Sequence, residues 1–292
     1  MTNEADRTND RVKNAAGSLT DDRVFDGVVT AGTRDEASGA VEQQNASKEL
    51  VALLTTLDDA GPTALTSCPG WTAHHIAAHM TGNYQEARRH VEAFAQGDPL
   101  NRTRGFEERE EPLRELDQPT LLQRIEQEAA ALTSAIGGVL DTQPDAELPW
   151  TNRTVRVSGF STHLRSESAL HRWDLAGDDD ISSVLLSQQD LLEHAVTFIG
   201  QPLCQRGLDF GGGKPAFSAR VRCAERDDLI IDADELHATL SVGPSTGDAA
   251  IETDAAARLL LLWGRKPTPF FRLRTSGGDD SVSHVQFLLL GY

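Results

Sequence analysis

The sequence predicts an α+β protein in which a four-helix bundle precedes a smaller domain of strands and helix. The first observation is a series of four stretches between residues 41 and 177 with apolar residues at helical spacing. The second is a change, after residue 203, to short strand-like runs separated by acidic or Gly-Pro turns. Helices that each bury one face favour a bundle, and strands grouped apart from them favour the α+β class.

The apolar stripes and the end signals place the helices of the bundle. Their predicted limits are Val41 to Gly61, Thr72 to Gly97, Leu122 to Val139 and Ser158 to Gly177. A fifth helix, capped by Ser187 and ended by Gly200, is expected to lead out of the bundle. Residues 41–203 are therefore predicted to form the helical domain.

Residues 204–292 are predicted to form the α+β domain, with the Gly-rich segment Gly211–Gly213 marking the boundary. Its predicted elements are the strands Phe217–Cys223, Leu229–Asp232, Ala238–Val242 and Phe270–Thr275 and the helix Ala255–Trp263. Residues 1–40 are poor in large apolar side chains and rich in Asp, Asn, Thr, Gly and Ser. Such a segment buries too little surface to offset its ordering entropy, so it is predicted to be a flexible acidic extension.

The overall charge excludes some classes of partner. A formal charge of -18 and a pI of about 4.8 would repel nucleic acid and anionic membranes, so neither is expected as a partner. No secretion signal or membrane span is recognisable, and a cytoplasmic protein with reduced thiols is expected. Cys68 precedes a predicted helix start, where either a nucleophilic or a packing role is open. The sequence makes no prediction of an oligomeric state.

Five positions of the fourth helix lie on one face, which begins apolar and becomes ionisable. They are Phe160, Leu164, Glu167, His171 and Asp174, at intervals of four, three, four and three residues. A buried carboxylate and imidazole need a partner, and a metal ion suits Glu and His four residues apart. The alternative is that this face meets solvent, because Glu and His at this spacing are common on surfaces.

A third ligand is predicted on the second helix. His79 lies beside Met80 on the apolar side of that helix, and Asn83 follows one turn later. His75 lies four residues before His79 and could instead form a histidine pair with it, but it ranks below His79 as a candidate. Three protein ligands leave one coordination position open, as in catalytic metal sites. Three further histidines are predicted to be surface or capping residues, namely His74, His90 and His163. The acidic run Glu107–Glu111 is predicted to be a solvated loop.

Three motifs resemble those of the mycothiol-dependent maleylpyruvate isomerase family, within the DinB-like metal-binding helical bundles. They are Ser67-Cys68-Pro69-Gly70-Trp71-Thr72 followed by His79, Glu167-x-x-x-His171-x-x-Asp174-Leu175, and Leu259-Leu260-Leu261-Leu262-Trp263-Gly264-Arg265. The resemblance covers roughly residues 45 to 290. The resemblance implies a DinB-like bundle followed by a sterol-carrier-like α+β domain.

The resemblance also implies functional residues. His79, Glu167 and His171 would bind a divalent metal, with zinc preferred for two imidazoles and a carboxylate. Arg265 would be a catalytic residue from the second domain. We expect Asn83 and Asp174 to contact the thiol cofactor, mycothiol.

The expected chemistry is the reaction of this small-molecule thiol with an electrophilic substrate. A metal-coordinated thiol would have a lowered pKa and would attack as thiolate. Reversible addition to an activated cis alkene allows rotation and gives cis-trans isomerisation, whereas a thiol that stays attached makes the protein an S-transferase. Two alternatives stay open: a metal-dependent hydrolase that needs no thiol, and a non-enzymatic protein that binds a hydrophobic ligand.

Overall fold

The computed structural model describes residues 37–151, 153–200, 204, 217–234, 236–265, 272–275 and 285. Most of the predicted extension, residues 1–36, lies outside the described residues, as do the segment Gly211–Gly213 and Phe270. The chain divides into two compact units, one ending at Ala176 and the other beginning at Gly177. This division falls before the boundary that the sequence predicts after residue 203.

The first unit is a helical bundle. Its helices are α1 (Ala37–Ala60), α2 (Ala73–Ala95), α3 (Phe106–Arg114), α4 (Gln118–Leu140) and α5 (Gly159–Ala176). Helix α1 packs along α5 and α2 along α4, which buries the predicted apolar stripes, among them Leu57, Ile76 and Ile125. No helix within the described residues is long and apolar enough to cross a bilayer.

The four predicted bundle helices are present, and local chemistry explains their ends. Thr72 begins α2 in a capping box, in which the side chain of His75 accepts a hydrogen bond from the Thr72 backbone N–H at 3.2 Å. After α2, Gly97 adopts φ +79°, and after α5, Gly177 adopts φ +75°. Glycine enters this left-handed region without steric cost, so both helices end where the sequence predicts.

Two elements of the first unit differ from the sequence prediction. The prediction of a solvated loop at Glu107–Glu111 is wrong, because this run lies in α3. Leu113 and Glu110 are buried, so α3 packs one face inward although most of its residues are charged. A short antiparallel hairpin, β1 (Glu147–Trp150) and β2 (Arg153–Arg156), precedes α5 and was not predicted.

The second unit combines helices with a five-stranded sheet. Its helices are α6 (Asp180–Leu186), α7 (Gln189–His194), a π-helix (Ala195–Gly200) and α8 (Ala255–Leu262). Its strands are β3 (Phe217–Cys223), β4 (Asp228–Ala233), β5 (Ala238–Gly243), β6 (Ile251–Thr253) and β7 (Leu273–Thr275). The strand order is β5-β4-β3-β6-β7, and only the β3–β6 pair of this sheet is parallel. A helical unit followed by a sheet unit confirms the predicted α+β class.

Candidate metal centre

The three residues predicted as metal ligands meet inside the bundle. His79 comes from the middle of α2, whereas Glu167 and His171 are one turn apart on α5 and therefore share a face. All three are buried, with 4%, 1% and 3% of their surface exposed. The solvent-facing alternative for this face of α5 is therefore wrong.

The spacing of the donor atoms suits one small cation. Oε2 of Glu167 lies 3.3 Å from Nε2 of His171 and 3.7 Å from Nε2 of His79, and all three donor atoms lie within 4.8 Å of one another. Ligands placed tetrahedrally at about 2.1 Å from a zinc ion are about 3.4 Å apart. Nε2 of His171 is buried and makes no hydrogen bond in the described part of the chain. The donor set therefore fits a divalent metal ion.

A carboxylate holds the other ring nitrogen of each histidine. Oε1 of Glu110 lies 2.8 Å from Nδ1 of His79, and Oδ2 of Asp174 lies 2.9 Å from Nδ1 of His171. An ionised carboxylate only accepts hydrogen bonds, so Nδ1 of each ring donates and Nε2 is left to face the triad. Metal-ligating histidines commonly have this arrangement, because it fixes the tautomer and the ring orientation.

Helix α3 supplies Glu110, which sequence reasoning placed in a solvated loop. Gly82 of α2 lets the two helices lie close together, because a Cβ at Gly82 would be 3.4 Å from Cβ of Arg109 and from Cγ of Glu110. The acidic run of α3 hid this residue among exposed carboxylates. A sequence signal was nevertheless present, since Glu110 and Leu113 are three residues apart and share the buried face.

The electrostatics of the site favour a positive charge at its centre. Burial opposes the imidazolium form of His171, yet the neighbouring Asp174, Cys68 and Glu167 hold its pKa well above the usual value. Burial likewise opposes ionisation of Glu167, but the two histidines hold its pKa well below the usual value. Two ionised carboxylates thus flank His171, and either a proton or a metal ion can balance them.

The residues predicted to contact the thiol, Asn83 and Asp174, each contact one histidine of the triad. Nδ2 of Asn83 lies 2.9 Å from Nε2 of His79, so a metal ion at that nitrogen would replace this hydrogen bond. Oδ2 of Asp174 binds Nδ1 of His171 and also accepts a 3.1 Å hydrogen bond from Sγ of Cys68. These contacts support a role for Asp174 in orienting His171, and direct contact with the thiol stays a prediction.

The structure corrects the reading of two other histidines. His90 and His163 are buried, not surface residues. Nε2 of His163 lies 3.6 Å from Oε1 of Glu167, and burial lowers the pKa of His163 to about 4, so its ring is neutral at pH 7. His90 contacts Glu86 and packs against Trp150, away from the triad. His75, the alternative to His79, caps α2.

Two aromatic rings adjoin the triad. The Trp71 ring lies 5.1 Å from that of His79 and 6.2 Å from that of His171, while the Phe106 ring lies 5.5 Å from that of His79. Apolar surface beside the ligands limits water access and lowers the local dielectric. Trp71 belongs to the Cys-Pro-Gly-Trp motif, so this motif contributes an aromatic side chain to the site.

Arg265, the predicted catalytic residue, lies just after α8 in the second unit. Its backbone N–H donates to the carbonyl of Leu260 at 2.8 Å, and its Nη1 donates to the carbonyl of Trp263 at 3.1 Å. Both contacts are made to the C-terminal turn of α8. The catalytic role of Arg265 remains a prediction.

We predict that the two carboxylates on the ligand histidines strengthen metal binding. Glu110→Gln and Asp174→Asn should each weaken metal affinity roughly 10- to 100-fold while the bundle stays folded, because a neutral amide orients and polarises the imidazole less well. Competition with a chromophoric chelator measures this affinity. The matched control is Glu107→Gln, which removes an exposed carboxylate from the same helix. Equal metal affinities for these two variants and the control would show that neither carboxylate strengthens metal binding by orienting its histidine.

A buried His-Glu-His set on two helices places this chain among helical-bundle proteins with a candidate metal centre. Residues 43–176 match the family model described as the mycothiol maleylpyruvate isomerase N-terminal domain. The match covers less than half of the chain, and it confirms for the helical bundle the resemblance predicted from the sequence.

Solved structures agree at the level of the fold. A crystal structure of the mycothiol-dependent maleylpyruvate isomerase aligns with a TM-score of 0.59 and 17% sequence identity, covering 84% of this chain and 93% of that one. The crystal structure of a histidine-to-alanine mutant of that isomerase gives the same values. At this identity the likeness establishes the fold. No curated protein matches the sequence.

Proposed function

We propose that this protein is a metal-dependent enzyme that activates mycothiol for reaction with a small electrophilic molecule. The observation that carries the proposal is the buried triad of His79, Glu167 and His171, in which a carboxylate binds Nδ1 of each histidine. Such orientation of both imidazoles suits a metal site. The match of the bundle to this family model, and the mycothiol dependence named for the similar crystal structure, support mycothiol as the thiol.

The residues of the chain have separate tasks in this proposal. Glu110 and Asp174 hold the ligand rings in one tautomer, and Trp71 and Phe106 provide apolar walls beside them. A divalent ion, for which zinc is our preferred identity, would supply the Lewis acidity that lowers the pKa of a bound thiol. Three protein ligands leave room for that thiol, as expected for a catalytic rather than structural site. The cytoplasm is the proposed location, since its reducing conditions preserve thiols.

The proposal covers two reactions that use the same site. In an isomerase the thiol is released unchanged after a cis double bond has become trans, whereas in an S-transferase it stays on the product. Maleylpyruvate is the substrate named for the similar crystal structure and is therefore the first substrate to test.

The decisive experiment combines metal analysis with a thiol-dependence assay. Purified protein should contain about one divalent ion per chain and should act on maleylpyruvate or on another electrophile only when mycothiol is added. Chromatography would detect the trans isomer and mass spectrometry the thiol conjugate, which separates isomerase from S-transferase. Turnover without thiol would contradict the proposal in favour of a hydrolase using water. Protein without metal would favour a non-enzymatic binding protein.

A further inference from the structure

Arg109 is a buried cation of α3, the helix that also supplies Phe106 and Glu110 to the site. It is 8% exposed, and Nε of its guanidinium is buried without a hydrogen bond in the described part of the chain. The guanidinium lies over the Phe106 ring, 4.8 Å from the ring centroid. Its nearest carboxylate is Glu110, with Nη2 3.7 Å from Oε1, too far for a good hydrogen bond.

This guanidinium lies beside the metal ligands. The Glu110 oxygen nearest to Arg109 is the same atom that binds Nδ1 of His79 at 2.8 Å. The Phe106 ring beneath Arg109 also contacts the ring of His79. Two contacts, one through Glu110 and one through Phe106, therefore place Arg109 next to His79.

Both carboxylate oxygens of Glu110 have partners that are closer than Arg109. Oε1 of Glu110 takes the hydrogen bond from His79, and Oε2 lies 3.2 Å from Nη2 of Arg114. A guanidinium has five N–H donors, and leaving a buried charge without hydrogen bonds is costly. The planar fork of Arg109 is therefore suited to an additional anion, and a carboxylate matches its geometry.

We propose that Arg109 binds a carboxylate of the electrophilic substrate beside the metal centre. This inference rests on the proposed function and adds to it the residue that would bind a carboxylate of the substrate. It also places a substrate anchor within the helical bundle itself. Arg109 would determine specificity by favouring anionic electrophiles over neutral ones of similar shape.

The test measures binding of maleate, a cis-dicarboxylate, to the metal-loaded protein by isothermal titration calorimetry without thiol. Arg109→Gln should weaken maleate binding roughly 10- to 100-fold, the effect of losing hydrogen bonds to a charged group. Arg109→Lys should weaken it less, because the charge remains but the two-pronged contact is lost. Dimethyl maleate, the uncharged analogue, should bind all variants equally. Metal content should not change in either variant.

Arg102→Gln is the matched control, since it removes one positive charge from an exposed arginine near α3. It should bind maleate within about twofold of the unaltered protein, because solvent screens an exposed charge. If Arg109→Gln fails to fold, Arg109→Lys still decides the question. Wild-type protein that does not bind maleate, or equal affinity in the Arg109 variants, would overturn the inference. Missing metal or turnover without mycothiol in the unaltered protein would instead contradict the proposed function.

Discussion

Alanine substitution of His79, Glu167 or His171 is expected to reduce bound metal from about one ion per chain to nearly none. Each substitution removes one of three protein ligands, and two remaining ligands hold an ion much less tightly. Loss of an orienting carboxylate such as Glu110 or Asp174 is expected to reduce function roughly 10- to 100-fold. Mycothiol-dependent turnover should fall by more than this in each of the three alanine variants. Inductively coupled plasma mass spectrometry on the purified variants measures the metal content.

The control for this prediction is His74→Ala on the same helix. His74 contacts the carbonyl of Arg114 and the side chain of Gln118 rather than the triad, so its variant should keep the metal. Circular dichroism should show that all variants remain helical, because most helical stability comes from packing of the apolar faces. Full metal occupancy in the three ligand variants would eliminate the site.

The closeness of Glu167 and His171 could be predicted because their pattern is local. Glu167 and His171 are separated by one helical turn, so sequence spacing alone places them on one face. His79 needed a second inference, namely that its helix is apolar on that side, and the structure brings the three together. Glu110 and Arg109 escaped prediction because their environment depends on how α3 packs against α2. In the sequence they belong to a charged run that looks solvated.

The helices of the fold could be predicted from the sequence, whereas a short hairpin and the strand pairing could not. Helices with clear stripes and glycine ends, such as α2 and α5, lie within a few residues of their predicted limits. The hairpin of β1 and β2 has four residues in each strand, too few to show a reliable period. Pairing of β3 with β6 in parallel was also beyond sequence reasoning, because strand order depends on contacts distant along the chain.

Arg265→Lys is expected to retain metal and fold yet to lose about a hundredfold or more in turnover. The reason is that a guanidinium can bind a substrate carboxylate or developing oxyanion through two hydrogen bonds, and loss of one preorganised oxyanion donor has an effect of this size. The prediction comes from the Gly-Arg motif at the end of α8, which resembles the family's motif. Steady-state kinetics with saturating mycothiol measure the effect.

The contacts of Arg265 define the competing interpretation. Its Nη1 donates to the carbonyl of Trp263, at the C-terminal end of α8, where a cation contributes roughly 0.3 to 1 kcal/mol through the helix dipole. Lysine carries the same charge and should largely preserve that contribution. Near-wild-type turnover in Arg265→Lys would therefore assign Arg265 to the helix end alone. Arg109 would then be the remaining candidate for a substrate anchor, and the loss on Arg109→Lys should exceed that on Arg265→Lys.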